Sequence, residues 1–309
     1  MSKRNMPIEL MRCCMMFGIV LLHVITQNGW FEQGGPLTRR FINVLSPCVE
    51  GFVFISGYYG IRFSAGKAGR ILALFALYTV FFVAPSFNWH YAIGHKLTHN
   101  WFLFSYLVLM VFAPVFNAAL EGKSKKQILG LALPIIVAVY GWSYLCVIPG
   151  IKEYVPKVTG FAPLSFFTMF GIYMAARVFR LLELERFLNL KVLIILGGGA
   201  VVLVIAGFHH HNSPASLVWT ACVFTVFSRL QLSSVVSKVV AWIAPTTFGI
   251  FLLHSTLTGG WLRKTVIDFT ATYLGVYAGY LITTIIVFLA CCFVDKMREG
   301  ILKCLHLKK

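Results

Sequence analysis

The sequence predicts an all-α fold: a polytopic integral membrane helical bundle of about ten transmembrane helices, with both termini cytoplasmic. Three observations lead there. Apolar residues make up 59% of the 309 and the mean hydropathy is +0.81. Charged residues reach only 12%, about half of the ~25% carried by a soluble domain, so the chain cannot cover itself with a water-facing surface. The charge is also one-sided, with 27 Lys and Arg against 10 Asp and Glu for a net +17. In a soluble protein that excess points to nucleic acid; in an apolar chain it is what cytoplasmic loops retain. A soluble enzyme, a disordered tail protein and a secreted disulfide scaffold are excluded, and the expected partner is the lipid bilayer, with no nucleic acid.

Runs of roughly 17–25 mostly apolar residues are long enough to cross a ~30 Å hydrocarbon core as helices. Ten are readable. The first, 6–27, stops at Asn28-Gly29. The second, 41–61, follows Gly34-Gly35-Pro36, and the third, 71–87, follows Ser64-Ala65-Gly66-Lys67. The fourth, 101–120, opens on Trp101-Phe102, an aromatic anchor at the membrane interface. The fifth and sixth, 127–147 and 163–181, flank Pro149-Gly150. The seventh and eighth, 190–208 and 214–230, are parted by His211-Asn212-Ser213-Pro214. The ninth, 239–258, ends at Gly259-Gly260, and the tenth is 272–294. Each of these interruptions has the Gly, Pro, Asn and Ser content of a turn.

The connections are too short for a second domain, so the expectation is one membrane domain over 1–309 with no appended soluble domain. A cytoplasmic N-terminus leaves twenty of the 27 basic residues inside and only Arg39, Arg40, Lys96, Lys152, Lys157, Arg263 and Lys264 outside. Adding or dropping one span would mix the two groups. The first run is too long for a cleavable signal peptide and no small-x-small site follows it. Eight cysteines without a CxxC predict neither structural disulfides nor zinc. His209-His210-His211 are neighbours in a Pro-terminated loop and point in different directions, so no metal is expected there.

Ionisable groups inside spans cost about 2.5–3.5 kcal/mol for Arg, Lys or Asp at a helix centre, which makes each a candidate functional residue. They are Glu9, Arg12 and His23 in the first span, Glu50 in the second and His254 in the ninth. Arg12 and His23 are eleven residues apart, a spacing that returns to within about 20° of the same helix face some 16 Å further along. A cation near the cytoplasm and an imidazole near the outside suit a substrate that enters as an anion and delivers a group outward. Equally, Arg12 can snorkel to inner headgroups while His23 bonds a neighbouring helix. Glu50 needs a proton or a partner at its depth, and His23 or His254 would form with it a general-base pair. Ser56-Gly57 reads first as a close-packing surface. Arg62, Lys67 and Arg70, after the second span, satisfy topology and suit phosphates as well.

These residues resemble, in type, spacing and order, the membrane acyltransferase family 3. Ile8-Glu9-Leu10-Met11-Arg12, ten residues, then His23 resembles its first-helix Arg-x10-His signature. Glu50-Gly51-Phe52-Val53-Phe54-Ile55-Ser56-Gly57-Tyr58 is similar to its second helix, followed by basic Lys67 and Arg70. Trp101-Phe102-Leu103 with Pro114, and Thr247-Phe248-Gly249-Ile250-Phe251-Leu252-Leu253-His254, resemble its fourth-helix and late Gly-Ile-Tyr-Leu-x-His segments. Departures are Cys13-Cys14, Gly51 and Phe251.

The resemblance implies O-acylation of a carbohydrate or lipid-linked sugar at the outer face of a bacterial inner membrane. The co-substrate is acetyl-CoA or another acyl-CoA, and no cofactor is permanently bound. Arg12, helped by Arg62, Lys67 or Arg70, would hold the donor on the inner side. His23, oriented by Glu50, would take the proton of the sugar hydroxyl, with Ser56, Trp101 or His254 as acceptor or oxyanion contacts. Two other classes use the same residues. A transporter or flippase for an anionic glycolipid would treat Arg12, Glu50 and His23 as pathway residues, though inverted repeats and broken-helix pairs are not visible. A haem protein would need His23 and His254 as axial ligands.

Overall fold

The computed structural model describes residues 5–26, 35–83, 100–145, 150, 166–206, 213–259 and 261–304. Among them the only regular structure is helical. The thirteen α-helices are α1 (Met6–Thr26), α2 (Gly35–Leu45), α3 (Cys48–Tyr59), α4 (Ala65–Val83), α5 (Trp101–Leu120), α6 (Lys125–Leu145), α7 (Phe166–Leu181), α8 (Leu190–Ile205), α9 (Pro214–Ser228), α10 (Ser234–Ile243), α11 (Thr247–Gly259), α12 (Trp261–Leu274) and α13 (Val276–Cys304). By length and composition, five segments are able to cross a membrane: Met6–Thr26, Gly35–Tyr59, Trp101–Leu120, Ser234–Ser255 and Val276–Cys304. This is a multi-pass membrane protein. The helices α8 and α9 are apolar but shorter, at 16 and 15 residues.

Local chemistry sets many of the boundaries. Asn5 opens α1 by accepting the Ile8 N–H at 3.4 Å, and Asn189 opens α8 by accepting the Val192 N–H at 3.0 Å. At the start of α6, Ser124 N–H donates to Gln127 Oε1 at 3.0 Å while Gln127 N–H donates to Ser124 Oγ at 3.4 Å, a reciprocal capping box. Where apolar pattern and backbone chemistry disagree, the backbone wins. The expected 41–61 span is interrupted at Ser46–Pro47, between α2 and α3, because proline has no N–H and disfavours helical geometry at the residue before it. The expected 239–258 span begins at Ser234 and is broken by a 3-10 turn, Ala244–Thr246, around Pro245. The segment after Gly260, expected as a loop, forms α12, and Gly275 at φ +84° turns the chain into α13. That last helix runs on well past residue 294. His99, Lys96, Lys152, Lys157 and His209–His211 lie outside the described residues.

The chain divides into two compact units. In the first, which includes α1, α2, α4 from Leu74 onward and α10 to α13, α1 packs on α2, α10, α11 and α13, and α13 packs on α11 and α12. Cys13, Val240 and Ala244 form a buried contact there, joined by Leu10 and Ile243. In the second, which includes α3, the start of α4 and α5 to α9, α3 packs on α7 and α9, while α7 also meets α5 and α6. Phe54, Tyr58, Phe179 and Phe224 interlock their rings at centroid distances of 4.4–6.4 Å.

Small residues decide how closely these helices approach. A Cβ on Gly57 would lie 2.6 Å from the Tyr173 carbonyl oxygen and 2.8 Å from Ala176 Cβ, so α3 touches α7 backbone to backbone. Gly57→Ala is therefore expected to cost about 1–3 kcal/mol by overpacking, read as a lowered unfolding temperature in detergent. Gly69→Ala, inside α4 with nothing within 4 Å of the added Cβ, serves as the control and does not lower that temperature, because alanine favours the helix.

Candidate functional site

Two imidazoles meet in the first unit. His23 lies near the end of α1 and His254 lies in α11, where it is buried. His254 Nδ1 is 3.1 Å from the Ile250 carbonyl oxygen, and His23 Nδ1 is 2.9 Å from the Ile19 carbonyl oxygen, each one turn back in its own helix. A carbonyl only accepts, so in the neutral rings each Nδ1 carries the proton and each Nε2 the lone pair. His254 Nε2 lies 3.3 Å from His23 Nδ1, with ring centroids 4.8 Å apart and planes at 62°. The His23 Nδ1–H is thus shared between the Ile19 carbonyl and the lone pair of His254, and the basic nitrogen of the pair is His23 Nε2. When that nitrogen takes a proton, two acceptors already face the opposite side of the ring. A partner on the far nitrogen is what fixes tautomer and basicity in a general base.

At the other end of the same stripe, Arg12 is partly exposed and its Nη1 contacts Glu9 Oε1 at 2.6 Å. The sequence places Arg12 as a cation near the cytoplasm, and in the structure the i,i+3 carboxylate of Glu9 offsets part of that charge. Met16 and Ile19 fall on the stripe between Arg12 and His23 and are buried. The two polar ends are therefore separated by packed apolar side chains, which an extended ligand along this face must displace.

A buried carboxylate that the sequence reading missed sits in the same unit. Asp295, 1% exposed, accepts hydrogen bonds from Tyr78 Oη at 2.5 Å and Arg298 Nε at 2.7 Å. Its Oδ2 has no hydrogen-bond partner among the described residues. A Cβ on Gly249 would overlap this carboxylate, so the glycine of the Phe248-Gly249-Ile250 segment is what lets α11 lie against α13 at that point. Its signal was hidden because the apolar run ends at 294 although the helix continues.

The other expected residues belong to the second unit. Glu50 is 3% exposed and accepts from Ser216 Oγ at 2.9 Å; that hydroxyl also lies 2.8 Å from the Ser213 carbonyl oxygen. The imidazole found beside His23 is His254, and the partner found for Glu50 is Ser216. Ser56 donates to the Phe52 carbonyl at 2.9 Å and contacts Tyr106 Oη at 3.2 Å, with Gly57 supplying the close packing. Trp101 starts α5 and meets Phe102 edge-on at 6.0 Å. Arg62, Lys67 and Arg70 are exposed on and after the connection between α3 and α4.

That connection is held by a closed ring of hydrogen bonds. Ile61 N–H donates to Tyr173 Oη at 3.0 Å, Tyr173 Oη donates to Asn117 Oδ1 at 2.7 Å, and Asn117 Nδ2 donates to the Ile61 carbonyl at 2.9 Å. Both backbone groups of Ile61 are thereby fixed, and with them the direction in which Arg62 leaves the backbone. Asn117 and Tyr173 sit among apolar residues of their spans, and spacing alone did not single them out.

A family model described as an acyltransferase domain, acyltransferase family 3, matches residues 7–294. No curated protein and no solved structure matches the chain.

The tautomers are open to direct measurement. In histidine-labelled protein at neutral pH, with signals assigned by difference against His23→Gln and His254→Gln, both rings are expected to show a protonated Nδ1 and a bare Nε2 by 15N resonance. An Nε2–H signal from His23 contradicts the assignment.

Proposed function

The chain belongs to acyltransferase family 3, and on that premise we propose that it is an O-acyltransferase of a bacterial inner membrane. The reaction moves an acetyl or related acyl group from cytosolic acyl-CoA to a sugar hydroxyl of a cell-surface polysaccharide or its lipid-linked precursor. The chain crosses the bilayer ten times with both termini in the cytoplasm. The observation that carries the chemistry is the tautomer-fixed contact of His23 with His254.

In this reading the acceptor hydroxyl binds against His23 Nε2. As its oxygen attacks the thioester carbonyl, the proton passes to Nε2, and the resulting imidazolium is met at Nδ1 by the Ile19 carbonyl and by His254. Collapse of the tetrahedral intermediate forms the ester, breaks the C–S bond, and returns the proton from His23 to the departing thiolate of CoA. His254 is a positioning residue: it acts through His23. Arg12, Arg62, Lys67 and Arg70 supply cations for the donor phosphates, Glu50 is a candidate catalytic carboxylate, and Ser56 and Trp101 are candidate acceptor or oxyanion contacts.

The test uses purified protein with labelled acetyl-CoA and candidate polysaccharide precursors. His23→Ala is expected to lower transfer by about 10²–10⁴-fold, the usual contribution of a general base. Arg12→Ala raises the KM for acyl-CoA more than it lowers kcat, and Glu50→Gln lowers kcat with KM little changed. Wild-type transfer by His23→Ala contradicts the chemistry.

A further inference from the structure

The second unit holds a cleft of ≈ 660 Å³ bordered by Gly60–Phe63, α5 and α7. That volume lies in the ~300–1,000 Å³ range of small-molecule sites. Arg62, Asn117, Glu121 and Arg177 form its polar wall, and Val111 and Pro114 part of its apolar wall. Two guanidiniums against the one carboxylate leave the seat net positive.

Arg177 is the side chain that nothing so far explains. It is half-buried, its Nε is shielded from solvent and has no hydrogen-bond partner among the described residues, and no carboxylate pairs with it there. Its Nη1 makes one long contact, 3.4 Å to the Tyr58 carbonyl oxygen. A charge withdrawn from water without a counter-charge is costly. Its surroundings are nonetheless built around it. Gly60 adopts φ +76°, and a Cβ there would stand 3.0 Å from Arg177 Nη1, so the glycine serves both the turn and the space beside the guanidinium. The Ile61–Tyr173–Asn117 ring holds the strand of backbone that carries Arg62 on the same wall. A planar donor fork lining a net positive cleft matches a phosphate.

We infer that this cleft seats a phosphate group of the acyl-CoA donor, with Arg177 binding it from the buried side and Arg62 from the exposed side. Asn117 and Tyr173 are positioning residues for that seat. The assignment rests on the acyl-CoA reading above and adds to it a location and a residue.

The experiment measures binding of CoA, and of pantetheine as the phosphate-free comparison, to the full-length protein in nanodiscs of zwitterionic lipid, repeated with phosphatidylglycerol present. Arg177→Ala and Arg62→Ala are each expected to weaken CoA binding about tenfold or more, the range for a lost hydrogen bond to a charged group. Pantetheine binding stays the same in all variants, and Arg177→Lys recovers part of the loss. Arg62 is exposed on a connection, so its variant separates binding from folding. CoA bound equally by wild type and both alanine variants overturns the cleft assignment while leaving the His23 chemistry standing. So does competition by phosphatidylglycerol that vanishes in Arg177→Ala without any change in CoA affinity, which would make the seat one for lipid phosphate. A wild-type protein that binds no CoA overturns the donor reading and the cleft together.

Discussion

An imidazole placed in an apolar helix must find an acceptor for its ring N–H close at hand, and the carbonyl one turn back is the nearest. His23 and His254 both take it, at 2.9 and 3.1 Å. That single constraint fixes two tautomers, and the contact between the rings then leaves a lone pair on His23 Nε2. Other contacts in the first unit hold α11 in place. The α11 helix is seated on α13 where Gly249 makes room for the Asp295 carboxylate, and Asp295 is held by Tyr78 and Arg298. Pro245 sits in the 3-10 turn Ala244–Thr246 that separates α10 from α11. The site is thus set by a chain of contacts in which His254 is the last link before His23.

The second unit uses the same economy on the backbone. Gly57 brings α3 onto the Tyr173 carbonyl, and this close approach delivers the Tyr173 hydroxyl to Ile61 and Asn117. A connection between spans, normally the most variable part of a membrane bundle, becomes a fixed wall carrying Arg62. Gly60 is required there on two counts, its positive φ and its nearness to Arg177.

Much of this was legible in the sequence, for physical reasons that differ by element. The run at 101–120 coincides with α5 because its apolar content and its helix end together. The runs at 41–61 and 239–258 did not survive as single helices, although Pro47 and Pro245 were visible within them: hydropathy averages over a residue whose effect is geometric. Asp295 escaped notice because hydropathy falls before the helix stops. The ionisable residues Arg12, His23, Glu50 and His254 stood out by their cost in an apolar chain, with His254 a candidate partner of Glu50 and not of His23. Its pairing with His23 depends on how α1 and α11 cross, which no spacing within one helix encodes. Asn117, Tyr173 and Arg177 carry ordinary one-letter signals and acquire meaning only through the helices they face.

The central claim is that His23 and His254 act as one unit, the second through the first, and a double-mutant cycle on kcat measures this most directly. Residual transfer would be compared for His23→Ala, His254→Ala and the double variant under single-turnover conditions. Groups acting in series are strongly non-additive. The account predicts that His254→Ala slows wild type but leaves His23→Ala no slower than before. Losses that multiply in the double variant would show two independent contributions and contradict it.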